Sequence, residues 1–126
     1  MNQANKKILI VDDDKMNIFI LSHYLKPPYD IIIAQDGVTA LGSAEKYAPD
    51  MILLDIIMPD MDGFEVFARL KESETAKNIP VIFMTGLDTD DAVDKGLSLG
   101  AAGYITKPFE KAVVKEKIDA FFNAGF

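Results

Sequence analysis

Cysteine is absent from this chain of 126 residues. That excludes a disulfide framework, a thiolate metal site and a thiol nucleophile, and it agrees with a reducing compartment. The single histidine, His23, cannot assemble a zinc site by itself. Basic charge is also scarce: 13 Lys and Arg stand against 20 Asp and Glu, for a net charge of -7. Such a balance opposes attraction to nucleic acid or to an anionic membrane surface, so neither is expected as a direct partner. Long apolar runs are missing as well. The polar start, Met1-Asn2-Gln3-Ala4-Asn5-Lys6-Lys7, leads into only four apolar residues, too few for a signal-peptide core or a membrane span. A soluble, cytoplasmic protein is expected. Neither a Walker phosphate loop nor a Gly-x-Gly-x-x-Gly run occurs.

What the chain does have is 49% hydrophobic residues, enough for one core, and its length predicts a single domain over residues 1–126. No linker, repeat or low-complexity segment interrupts it. Apolar runs of strand length alternate with stretches of helical spacing, which predicts an α/β fold of βαβ units: a parallel sheet with helices on both faces. The strands are expected over Lys7 to Val11, Ile31 to Ala34, Met51 to Leu54, Val81 to Met84 and Gly103 to Ile105. Asp14 can cap a first helix carrying Met16, Phe19, Ile20, Tyr24 and Leu25, ending before Pro27-Pro28. A second helix runs from about Val38 to Tyr47. Asp62-Gly63 reads as the turn that opens a third, with Phe64, Phe67 and Leu70 on one stripe. Thr89 or Asp90 can cap a fourth bearing Ala92, Val93, Gly96 and Leu97, with Gly100 as a left-handed stop. The last carries Val113, Val114, Ile118, Phe121 and Phe122, a spacing that buries one face on the sheet.

The polar residues that matter lie directly after apolar runs. Asp12-Asp13 follow the first strand, Asp55 the third, Thr85 the fourth and Lys107 the fifth. In open α/β sheets ligands bind outside the carboxyl ends of the strands. Taken singly, each has an ordinary structural use: Asp12-Asp13-Asp14 as a loop and helix cap, Asp55 as a turn cap, Thr85-Gly86 as a turn, Lys107 as a solvated cation. Two adjacent carboxylates at the mouth of a buried strand, however, repel by about 1 to 4 kcal/mol at about 4 Å. Something cationic should relieve that repulsion, and hard oxygen ligands favour Mg²⁺ or Mn²⁺. An ionised aspartate such as Asp55 beside a divalent cation is a competent nucleophile toward phosphorus. Lys107 can neutralise one phosphoryl oxygen, Thr85 can donate to a second, and the metal can take a third. Lys107-Pro108 can be a cis bond, which would fix where the ammonium points.

These residues resemble the receiver domain of two-component response regulators. The matching text is Ile8-Leu9-Ile10-Val11-Asp12-Asp13-Asp14, Leu53-Leu54-Asp55-Ile56-Ile57-Met58-Pro59-Asp60-Met61-Asp62-Gly63, Met84-Thr85-Gly86 and Gly103-Tyr104-Ile105-Thr106-Lys107-Pro108-Phe109. The resemblance implies a (βα)5 doubly wound, flavodoxin-like fold with strand order 2-1-3-4-5. It implies that Asp55 accepts a phosphoryl group from the phosphohistidine of a sensor histidine kinase or a histidine phosphotransfer protein. Asp13, Asp55 and the backbone carbonyl of Ile57 would hold Mg²⁺, with Asp12 acting through water. Thr85 and Tyr104 would be the switch pair that remodels the face of the fourth helix, fifth strand and fifth helix. A downstream effector or a fused output domain would read that face, and a homodimer formed on phosphorylation is compatible with it. By the same resemblance the chain is a phosphoacceptor signalling domain that assists its own phosphorylation and dephosphorylation, rather than an enzyme. Ile57 and Leu87 are apolar where many relatives carry polar groups near the attacking water, which implies slow self-dephosphorylation.

Two rivals remain at the level of sequence. A haloacid-dehalogenase-type phosphatase would use Asp12 and Asp14 as its Asp-x-Asp motif, but it leaves Asp55 without a task, and no acidic pair follows Lys107 after another strand. A receiver-like interaction module that is never phosphorylated would typically lack part of the acidic set, and none is missing here. An EF-hand over Asp60-Met61-Asp62-Gly63 fails because Met58 and Arg69 occupy its first and last ligand positions.

Overall fold

The computed structural model describes residues 5–86 and 90–124. Five strands form one parallel sheet: β1 (Lys7–Val11), β2 (Asp30–Ala34), β3 (Met51–Asp55), β4 (Val81–Thr85) and β5 (Gly103–Thr106). Their order is β2-β1-β3-β4-β5, as the resemblance implied. Between and after them run α1 (Lys15–Leu25), α2 (Gly37–Tyr47), α3 (Gly63–Glu72), α4 (Asp90–Ser98) and α5 (Lys111–Ala124).

Side chains alternate across a strand, and both faces of this sheet are apolar because helices cover both. Leu9, Val11, Ile52, Leu54, Val81 and Phe83 point to the side packed by Ala40, Ala44, Val66, Phe67 and Leu70 of α2 and α3. Ile8, Ile10, Met51, Leu53, Ile82, Met84 and Ile105 point to the other, against Ile18, Leu21 and Leu25 of α1 and Val114 and Ile118 of α5. On the first of these sides Phe83 sits between Phe64 and Phe67, with ring centroids 5.2 and 5.4 Å away.

Local chemistry sets the boundaries. Asp14 caps α1 by accepting the Met16 N–H, as the sequence predicts, and Asp62, in the turn expected to open α3, caps it by accepting the Glu65 N–H. Asp36 caps α2 through the Thr39 N–H. Gly100 does adopt positive φ, at +104°, just beyond α4. The anticipated cap Thr89 lies outside the described residues, as do Leu87 and the side chains of Asp90, Ala92 and Val93. Two helix faces differ from expectation. In α1 the buried positions are Ile18, Leu21 and Leu25, while Phe19 is 67% exposed and Met16 is exposed too. In α5, Val113 and Phe121 face outward while Val114 and Ile118 are fully buried.

Candidate functional site

The sheet order reverses at β1, whose neighbours are β2 on one side and β3 on the other. The carboxyl ends of β1 and β3 therefore flank the switch-point crevice. Register does the rest. Ile10 pairs with Leu53 and Val11 with Leu54, so the next residues along the two strands, Asp12 and Asp55, come side by side. On the other side of β3, Asp55 is in register with Met84, and Ile56 N–H donates to Met84 O at 3.1 Å. Thr85 then pairs with Thr106, and Lys107 N–H donates to Thr85 O at 2.8 Å. Four strand ends thus bring Asp12, Asp13, Asp55, Thr85 and Lys107 together.

Asp12 is fully buried, Asp55 is 3% exposed and Thr85 1% exposed, whereas Asp13 is exposed. Asp12, Asp13 and Asp55 each offer an oxygen, and these oxygens lie within 4.8 Å of one another. Lys107 Nζ reaches Asp55 Oδ1 at 3.1 Å and Asp12 Oδ2 at 3.5 Å. One ammonium cannot balance three carboxylates. Burial, together with the charge of Asp12, pushes the Asp55 carboxyl up to about 6, against the opposing pull of Lys107. Burial works to lower the Lys107 pKa, but the charges of Asp55 and Asp12 outweigh it and hold the ammonium above its ordinary range. A hard divalent cation among these oxygens would supply the missing positive charge, so the donor set fits such a metal.

The Lys107-Pro108 bond is cis, and the Lys107 backbone ties the end of β5 to Thr85 as described above. On the β3 side, Gly63 lets α3 begin directly against the strand. Its N–H donates to Ile56 O at 2.7 Å, and a Cβ there would sit 2.3 Å from Asp55 O. Ile57, two residues beyond Asp55, carries its side chain into solvent, 59% exposed.

Two contacts were not anticipated from the sequence. The Asn17 side-chain amide donates to Asp12 Oδ2 at 3.2 Å; the only signal for it was a polar residue in the first turn of the helix after β1. Tyr104 lies in β5 with its ring under Lys117 Nζ, 4.4 Å from the centroid, and Lys117 also donates to Tyr104 O at 2.8 Å. Both line a groove of about 400 Å³ with Ile82, Leu97, Ala120 and Phe121 between α4 and α5. Among the described residues, no helix is long and apolar enough to cross a membrane.

A parallel sheet of this order thus gathers an acidic cluster, a buried threonine and a lysine at its carboxyl edge. Residues 8–119 match the family described as "Response regulator receiver domain". The response regulator PleD of Caulobacter vibrioides is 40% identical over 113 residues, which cover 89% of this chain and 25% of PleD. The chain thus spans a quarter of that relative's length. The chemotaxis protein CheY of Halobacterium salinarum is 34% identical over 94% of this chain and 98% of its own. Among solved structures, the receiver domain of the sensor histidine kinase PA1611 from Pseudomonas aeruginosa, with a magnesium ion coordinated in its active-site cleft, superposes with a TM-score of 0.85 at 26% identity, covering 95% of this chain and 99% of that one. The chain belongs to the response regulator receiver domains of two-component systems. Nothing favours the phosphatase reading, in which Asp55 would be idle at the centre of the cluster.

Proposed function

We propose that Asp55 is the phosphoacceptor of a phosphorelay. Its donor would be a phosphohistidine on a sensor histidine kinase or a histidine phosphotransfer protein. The supporting observation is the juxtaposition of a buried Asp55 with Asp12, Asp13 and Lys107. An oxygen of Asp55 attacks phosphorus, an O–P bond forms as the N–P bond of the phosphohistidine breaks, and the departing imidazole takes a proton from solvent. Asp55 is mostly ionised at neutral pH despite its raised pKa and so presents the nucleophile. The Lys107 ammonium, already 3.1 Å from Asp55, neutralises charge on the incoming phosphoryl oxygens, and the Thr85 hydroxyl donates to another. Asp12, Asp13, Asp55 and the Ile57 carbonyl would hold Mg²⁺, or Mn²⁺, with Asp12 acting through water. When bound, the ion supplies Lewis-acid stabilisation of a phosphoryl oxygen.

Signalling then follows from a two-state surface. Thr85 moves toward the phosphoryl group and Tyr104 turns inward, changing the groove of α4, β5 and α5 that an effector or a fused output domain reads. A dimer through the same face on phosphorylation is compatible with this account. The chain works as a single phosphoacceptor domain, cytoplasmic, that assists its own phosphorylation and dephosphorylation without turning over a separate substrate.

Incubation with a small phosphodonor and Mg²⁺ followed by borohydride tests the assignment. Reduction of an aspartyl phosphate converts that residue to homoserine, and peptide mapping is expected to find the change at position 55 and nowhere else. Homoserine at Asp12 or Asp13 would refute the assignment. Phosphoryl lifetime gives a separate prediction. Ile57, two residues beyond Asp55, has an apolar side chain that cannot orient an attacking water, so Ile57→Asn is expected to speed phosphoryl loss several-fold. Decay of the phosphorylated mass at the wild-type rate would count against it.

A further inference from the structure

Asp12 is buried, and both of its carboxylate oxygens are engaged. Oδ1 accepts the Asp14 N–H at 2.9 Å. Oδ2 accepts the Asn17 amide at 3.2 Å and faces Lys107 Nζ at 3.5 Å. The three partners are not equivalent. The Asp14 contact belongs to the turn that leaves β1, and Lys107 is shared with Asp55 at the shorter distance of 3.1 Å. Asn17 contributes a side-chain donor from a different element, the first turn of α1. That turn is anchored through Ile18 and Leu21, which pack into the core, and through its Asp14 cap.

A carboxylate's last torsion is a broad, roughly two-fold rotor. A donor fixed to one oxygen selects a single setting, and a neutral amide does so without placing a second cation where a divalent ion must bind. A lysine at the same spot would compete with that ion; an alanine would leave Oδ2 facing only the ammonium that Asp55 shares. We infer that Asn17 is a positioning residue for the cation site: it holds the Asp12 carboxylate ready for the ion before binding. The inference rests on the reading of Asp12, Asp13 and Asp55 as that site.

Partners that orient metal ligands typically change affinity about 10- to 100-fold when removed. Asp12 would act on the ion through water and would keep its Asp14 and Lys107 contacts, so Asn17→Ala is expected no higher than the lower end, about 10-fold weaker for Mg²⁺. Calorimetric titration of the full chain with Mg²⁺ measures this for wild type, Asp13→Ala, Asn17→Ala, Asn17→Leu, Asp12→Asn and the Asn17→Ala/Asp12→Asn pair, each checked for folding by circular dichroism. Both Asn17 variants should lose affinity, and Asn17→Ala should cost nothing further in the Asp12→Asn background, because residues that act through one another are not additive. Wild-type affinity in Asn17→Ala, or full additivity with Asp12→Asn, overturns the inference. If wild type binds no Mg²⁺, or Asp13→Ala binds it as tightly as wild type, the cation site itself falls and the inference with it. Loss in Asp13→Ala with Asn17→Ala unaffected removes only the role of Asn17.

Discussion

Gly63→Ala is expected to lower stability by about 1 to 3 kcal/mol and to reduce phosphoryl uptake from a small phosphodonor by about 100-fold. The added methyl would lie 2.3 Å from Asp55 O and 2.8 Å from Ile56 Cα. Both are backbone atoms, so no side-chain rotation can relieve the clash. Either the start of α3 must lift away or the end of β3 must shift. The first breaks the Gly63 N–H bond to Ile56 O, 2.7 Å long, and unseats Phe67 and Leu70 from the core. The second moves the Asp55 carboxylate relative to Asp12 and Lys107, and a misplacement of about 1 Å in a transfer site costs roughly that factor in rate. Urea unfolding and the initial rate of mass gain measure the two effects. A variant as stable and as reactive as wild type would mean that the β3–α3 junction does not set the position of Asp55.

Asp55→Asn is expected to act in the opposite direction on stability. The carboxyl rises from its ordinary value of 3.8 to about 6 on folding, so the native state binds more protons than the unfolded chain between those values. Stability therefore falls as pH rises from about 4 to 6, and the deficit is complete above about 6. Its ceiling is about 3 kcal/mol, from 1.36 kcal/mol per unit. The neutral amide removes that deficit. In the absence of divalent cations, Asp55→Asn should be more stable than wild type by up to that amount at pH 7.5 and nearly equal to it at pH 4. Saturating Mg²⁺ should narrow the gap at pH 7.5, because an ion bound at about 100 times its Kd stabilises the wild type by about 2.7 kcal/mol. Mg²⁺ affinity should also weaken below about pH 6, where Asp55 protonates. Denaturant melts at the two pH values, with chelator and with Mg²⁺, test all of this; a wild type more stable than Asp55→Asn at pH 7.5 without metal contradicts it.

The site was legible because its residues terminate hydrophobic runs. Each strand of the centre is apolar on both faces, so the first carboxylate or hydroxyl after it marks the carboxyl edge. That same polarity hid the true strand ends. Asp55, Thr85 and Thr106 are still paired in the sheet, one residue beyond the predicted boundaries, because a backbone ladder does not depend on the side chain it carries. β2 likewise begins one residue earlier, at Asp30. Helix faces were less legible. Met16, Ile18, Phe19, Ile20 and Leu21 are nearly continuous, so periodicity cannot choose among several stripes, and packing on the sheet decides for Ile18, Leu21 and Leu25. The contact of Asn17 with Asp12 was beyond reach, since an asparagine in a first helical turn reads as ordinary polar surface until the end of β1 is placed beside it.

The central claim is that Asp12, Asp13 and Asp55 gather one divalent cation so that Asp55 alone takes up phosphate. Intact-mass measurement after incubation with a small phosphodonor tests it most directly, on wild type with Mg²⁺, wild type with chelator, Asp13→Ala and Asp55→Ala. The account predicts a gain of one phosphoryl group in the first sample, a severe loss of that gain in the second and third, and none in the fourth. Equal phosphorylation of Asp55→Ala, or uptake by wild type that is indifferent to the chelator, would contradict it.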